Sequence, residues 1–239
     1  MAKRVCLFCG SDGKLTSSHV IGKRLMKVLP GTADFSGYFE YANIPDHESV
    51  VRVNDSDPRE SKPNSLCATC NNVWMEEHED TVAEILVDLA EGKKIALDYS
   101  AQKDLALWAT IACIVRGSLA THNHVSQSDR LQIRERDEVP EGYRFWILQG
   151  ADRPDWPTRF QWAEDLDGNT GWVGWLWIGQ VIFVVSSPLW ALTTELSLGI
   201  VGPYRQYLAL DNTTIEWPLY TESFLTYEQF LEASTLRNF

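Results

Sequence analysis

Cys67-Ala68-Thr69-Cys70-Asn71-Asn72-Val73-Trp74-Met75 is the stretch on which the reading of this chain turns. A CxxC pair runs straight into two asparagines and then into an acidic amphipathic segment. Upstream stands its counterpart, Cys6-Leu7-Phe8-Cys9-Gly10, with His19 ten residues past Cys9. The gap between the two pairs is 57 residues. A two-residue spacer lets both sulfurs of a knuckle reach one ion. Cys6, Cys9, Cys67 and Cys70 therefore supply four thiolates, enough to close a tetrahedral structural zinc site. Four cysteines leave no open coordination position, so this zinc is scaffold rather than catalyst. The fifth cysteine, Cys113, falls among alanines and isoleucines and reads as a small buried hydrophobe.

Helical periodicity begins after Cys70. Trp74, His78, Val82, Ile85, Leu86 and Leu89 form one stripe, acidic residues from Glu76 to Glu91 take the other side, and Gly92 ends the run. A second helix over 102–121, capped by Ser100 or a neighbour, is apolar nearly all round and should be buried. Before the second knuckle, residues 3–8 read as a short strand and 15–21 as a strand or strand-to-helix junction carrying His19. Residues 22–27 form a short basic helix stopped by Pro30-Gly31, and residues 31–65 read as irregular. Residues 123–142 are a polar connector with one short helix.

The remainder is β-like. Strands are expected at 145–148, 159–163, 172–178 and 181–186. The last two are joined by Gly179-Gln180, a two-residue hairpin signal, and their apolar faces on both sides make them central strands. A closing helix is expected over 226–236. The fold class is α+β: a zinc-stapled module over 1–98, then an accessory domain over 99–239 with the helix 102–121, a Trp-rich antiparallel region 143–218 and the C-terminal helix.

Net charge is −12 over 239 residues, unevenly spread. Residues 1–75 carry a net +1 and residues 76–239 a net −13. A free-standing binder of long duplex usually shows a basic footprint, which this chain lacks. Positive charge for a nucleic acid would have to be local to a cleft or come from a partner. No apolar run reaches the length of a membrane span, and no apolar signal core follows the basic N-terminus. The expected location is the cytoplasm, where thiols stay reduced and paired CxxC motifs mean metal more often than disulfide.

Cys-x-x-Cys-Gly, Leu-Thr-x-x-His-Val-Ile and Cys-x-x-Cys-Asn-Asn-x-Trp-Met-x-x-x-Glu together resemble the HNH endonuclease family of the ββα-metal fold. More narrowly, they resemble a zinc-stapled branch found in bacteria and phages. The resemblance implies that His19 is the general base that activates water against a DNA phosphodiester. It implies that Asn71 ligates a catalytic Mg²⁺ or Mn²⁺, one metal serving to neutralise the scissile phosphate. The family has an acid just before the histidine, often a metal ligand; here it is Ser18, a poorer ligand for a hard cation. Asn72 and Glu79, seven apart on one helix face, are accessory candidates, Glu79 either at the family's Glu position or anchoring a neighbouring loop. Asn64 is the nearest candidate for the middle asparagine. Lys23, Arg24 and Lys27 could hold the DNA backbone, with solvated surface as the alternative.

The literal string His122-Asn123-His124 is not that motif, whose letters are scattered through a ββα unit; these histidines sit at a helix end and suit carbonyl capping. His47 reads as solvated and His78 as core-edge. The rival to the nuclease is a zinc-scaffolded module with weak or lost catalysis. Its acidic, Trp-rich C-terminal region would bind a protein partner in a larger assembly, for instance in phage defence.

Overall fold

A computed structural model describes residues 5–29, 37–42, 49–54, 64–118, 124–151, 158–164, 169–191, 194, 205–207, 213–219, 224–226 and 229. In chain order these form β1 (Leu15–Ser17), α1 (Lys23–Val28), β2 (Gly37–Ala42), β3 (Ser49–Asn54) and β4 (Asn64–Cys67). A wide π-helical turn, Cys70–Trp74, leads into α2 (Met75–Ala90), followed by β5 (Ile95–Leu97), α3 (Tyr99–Gly117) and α4 (Gln127–Arg136). Then come β6 (Arg144–Gln149), β7 (Thr158–Glu164), β8 (Thr170–Ile178) and β9 (Val181–Ser186), with β10 (Arg205–Tyr207) and β11 (Ile215–Trp217) completing the described strands.

Seven strands form the main sheet in the order β10-β6-β9-β8-β7-β2-β3. The hairpin β8–β9 lies inside it, as its two apolar faces require. Ile178 pairs with Val181 and Gly179 turns the corner at φ +55°. Alternation along these strands divides the side chains between two buried clusters. Trp172, Leu176, Phe183 and Val185 join the larger cluster that includes α3, while Trp175, Trp177, Ile182 and Val184 lie in the smaller one. From Leu105 to Gly117 every residue of α3 is buried, so this helix is apolar all round because it has no solvent face.

Three expectations are corrected. Residues 37–42 and 49–54, read as irregular, are β2 and β3; β2 pairs parallel with β7, a partner more than a hundred residues away that no local pattern announces. Residues 5–8 are no strand: Leu7 gives its N–H to Ser65 O at 2.7 Å, but Cys6 and Gly10 close a turn on each other at 3.0 Å. The long helix starts at Tyr99 and reaches Gly117, and its cap is Asp98, which accepts from the Ala101 N–H at 2.9 Å. The short helix expected in the polar connector is present as α4. The C-terminal helix expected over 226–236, His47, His122 and the turn at 165–168 lie outside the described residues.

One hydrophobic cluster runs from Cys6 and Phe8 through Leu66, Trp74 and α3 to Trp217, on both sides of the boundary drawn at residue 98. Among the described residues no helix is long and apolar enough to cross a membrane.

Candidate functional site

β1 and β4 pair antiparallel, Leu15 opposite Cys67 and Thr16 opposite Leu66, and the chain leaves β4 directly into the Cys70 turn and α2. This strand–strand–helix element carries a four-cysteine cluster. The sulfurs of Cys6, Cys9, Cys67 and Cys70 lie within 4.8 Å of one another. A zinc–sulfur bond of about 2.3 Å makes the edge of a regular tetrahedron about 3.8 Å, and Cys9 Sγ lies 3.7 Å from Cys67 Sγ. Backbone donors already face the sulfurs, Cys67 N–H to Cys6 at 3.3 Å and Cys70 N–H to Cys67 at 3.5 Å. Gly10, just past the first knuckle, holds φ +68°, a conformation that suits glycine. The donor set and spacing fit a structural zinc.

The thiols are electrostatically coupled. The Cys70 thiol beside it draws Cys6 down to about 4, with the N–H groups of Cys67, Cys9 and Phe8 assisting against burial. Cys70 is correspondingly pushed up, first by Cys6 and then by burial. A bound divalent metal would displace the thiol protons.

Beside the cluster opens a cleft of about 620 Å³ lined by Ser17, His19, Gly22, Lys23, Lys27, Asn71, Asn72, Met75, Glu76 and Glu79. Residues far apart in sequence meet here because β1 hands the chain to α1 on one wall while the Cys70 turn and α2 form the other. Met75 N–H reaches back five residues to Cys70 O, widening the helix by one residue. Such π-turns recur at functional sites; this one lets both Asn71 and Asn72 line the cleft together with Glu76 and Glu79 further along.

Asn71 is held rigidly. Its Nδ2 donates to Thr16 Oγ1 and to Ser17 O, both at 3.2 Å. Thr16 Oγ1 donates to Leu66 O at 3.0 Å, so it can only accept from Asn71. The network thereby sets the amide orientation and leaves Asn71 Oδ1, a hard neutral oxygen, as the acceptor it does not use.

Glu79 is 7% exposed and its Oε1 accepts the Gly22 N–H at 2.6 Å. It anchors the turn that enters α1. The approach is close: a Cβ on residue 22 would meet Glu79 Oε2 and lie 2.6 Å from Cδ, so a larger residue there would push the carboxylate aside. Burial pushes the carboxyl from 4.5 to about 7; the Gly22 N–H opposes this, and Glu76 and Asp80 add to it. Between those values the folded chain holds a proton the unfolded chain has lost. Glu79 therefore favours folding most below pH 4.5, and that contribution declines as pH rises through 7. Glu79→Gln keeps an oxygen for Gly22 without the charge. Without added divalent cation it is expected to stabilise the protein at pH 8 by about 2–3 kcal/mol, the gain shrinking toward pH 5. Urea titrations of variant and parent at the two pH values check this; an equal difference at both would contradict it.

Of the other residues singled out in the sequence, Ser18 is fully buried and is not among the lining residues. Asn64 is exposed at the start of β4, accepting from Ser17 Oγ at 2.9 Å, and is not in the lining either. Lys23 and Lys27 are exposed along the cleft; Arg24 belongs to α1, its side chain outside the described set. His124 stacks on Trp162. Cys113 is buried in α3, where desolvation pushes its thiol up.

Sequence reasoning missed the support given by α4. Its N-cap is Ser126, which accepts from Asp129 N–H at 3.0 Å, an S-x-x-D signature legible in the chain. Its C-cap, Asp137, sits at φ +51°, a left-handed conformation that Asp tolerates. That carboxylate accepts from Trp74 Nε1 at 2.6 Å and faces His78 Nε2 at 3.1 Å. His78 is thus a brace at the core edge. Glu76, an exposed carboxylate in the lining, was likewise not singled out.

Compared with protein-family models, curated proteins and solved structures, the chain matches none of them.

Proposed function

We propose that the chain is a zinc-scaffolded, metal-dependent endonuclease of the HNH type, acting on DNA phosphodiesters. The observation that carries this reading is the convergence of His19, Asn71, Lys23 and Lys27 on one cleft beside the four-cysteine cluster. A Mg²⁺ or Mn²⁺ held at Asn71 Oδ1 would neutralise the scissile phosphate and stabilise the leaving oxygen. Such a cation binds few protein ligands and keeps the rest of its shell for water and phosphate. In that setting Asn71 orients, through an amide locked on β1, and Glu76 is the exposed carboxylate that offsets the absence of an acid at position 18. His19 takes the proton from the attacking water. Lys23 and Lys27 hold the phosphate backbone as point charges. Their two charges are few against a net of −12, so binding of free duplex should be weak and steep in salt.

The test is nicking of supercoiled plasmid by the zinc-loaded chain at low salt. Activity with Mg²⁺ or Mn²⁺, none with Ca²⁺ or excess chelator, and a large loss in Asn71→Ala are expected. A second reading draws on the buried Ser18: a zinc-scaffolded module without catalysis that binds a protein or nucleic-acid partner. Full zinc occupancy with no second metal in titration and no cleavage of any nucleic acid would decide for it.

A further inference from the structure

Two arginines one helical turn apart on α4, Arg130 and Arg134, bear on the two cysteine knuckles from outside. Arg130 Nη1 donates to Leu7 O at 2.7 Å, and Leu7 lies between Cys6 and Cys9. Arg134 lies over the Trp74 ring at 5.1 Å, and Trp74 closes the turn that begins at Cys70. Trp74 in turn packs edge-on against Phe8 of the first knuckle at 4.9 Å. Asp137 finishes the clasp by holding Trp74 Nε1. Asp129, the acid beside Arg130, is engaged by the Tyr143 hydroxyl at 2.9 Å.

Four thiolates around a divalent zinc leave two uncompensated negative charges in a partly buried centre, a costly arrangement unless paired. We propose that Arg130 and Arg134 are the charge-compensating second layer of the four-cysteine centre, one cation per knuckle, and that α4 thereby governs how tightly the zinc is retained. This rests on the zinc reading of the cysteines and not on the nuclease reading. A sulfur whose charge is offset by a nearby cation is also less available to chelators and to acid. Arginine suits the position better than lysine because its planar, delocalised head can stack on Trp74.

The experiment uses the full chain, purified with its zinc and quantified by elemental analysis. Zinc transfer to an excess of a chromogenic chelator is followed at neutral pH. In Arg130→Gln/Arg134→Gln, release is expected to be about 10–100-fold faster, the usual scale for outer-layer partners of metal ligands. Arg134→Lys against Arg134→Met separates charge from packing: the lysine variant should stay nearer the parent, the methionine variant should not. In the Co²⁺-substituted protein the sulfur-to-metal charge-transfer band should shift in the double variant, a response that loosened packing alone would not give. If the double variant fails to fold, the two single Arg134 variants carry the comparison. Release within twofold of the parent, or equal rates for the lysine and methionine variants, overturns the proposal. A parent chain that holds no zinc would instead overturn the reading of the cysteines.

Discussion

His19→Ala is expected to lower Mg²⁺-supported nicking of plasmid by about 10²–10⁴-fold, the scale of a lost general base, while zinc content stays at the parent level. The effect should be large because, among the described lining residues, no second group is placed to take that proton. Lys23 and Lys27 are cations, Asn71 and Asn72 are amides, and Glu79 is buried with its oxygens turned to Gly22. Glu76 is a carboxylate, but an exposed one. The fold should survive, since His19 lies at the cleft wall and the core beside it is made by Val20, Ile21 and Leu25. Single-turnover nicking with saturating metal, run beside a melting curve, is the measurement. Undiminished cleavage by the alanine variant would remove His19 from the role of base, and cleavage that falls only with stability would make it structural.

The second large effect is on stability. Stripping the zinc, or replacing Cys70 by serine, is expected to lower the melting temperature by about 10–20 °C and to abolish any nicking. Structural zinc contributes about 10–16 kcal/mol in small zinc-binding peptides, against a total stability of about 5–15 kcal/mol for an ordinary domain. Here the knuckles are also tied to a core, so a net loss of about 5 kcal/mol at about 2–4 °C per kcal/mol is the reasonable scale. The local secondary structure cannot stand in for the metal. β1 has three residues, β4 four and α1 six, all too short to hold themselves. What remains is Phe8, Leu66, Trp74 and the α4 clasp around them. Calorimetry of parent, chelated and Cys70→Ser proteins reads this out, with Cys113→Ser as a variant whose zinc content should not change. A chelated protein that keeps the parent melting temperature would show that the cluster is not a metal scaffold.

Several features were open to a reader of the chain alone, each because the controlling interaction is local. The hairpin at Gly179-Gln180 follows from a two-residue turn between two apolar runs, and both strands are central because neither has a polar face. The buried helix follows from its lack of a polar stripe. Two CxxC pairs indicate a shared cluster because a two-residue spacer leaves the sulfurs little choice. By contrast β2 was illegible, since its parallel pairing with β7 depends on a strand more than a hundred residues away. The first knuckle reads as a strand because Val5, Leu7 and Phe8 are apolar, yet Leu7 and Phe8 are apolar because they join the core, while Val5 is exposed.

The same division runs through the site. Sequence alone determined the donor types: four thiolates, a histidine, two asparagines after the last cysteine, and basic residues on a short helix. Tertiary structure decided what each can reach. A π-turn after Cys70 brings Asn71 and Asn72 into one lining, and hydrogen bonds to β1 settle which end of the Asn71 amide is free. Burial removed Ser18 from the cleft, and of the two readings open for Glu79 the fold shows the loop anchor, at Gly22. The stretch from Cys67 to Met75 named the chemistry because side-chain type and close spacing are written in the chain. Reach, orientation and proton affinity had to wait for the fold, because they depend on neighbours that lie 55 to 63 positions away.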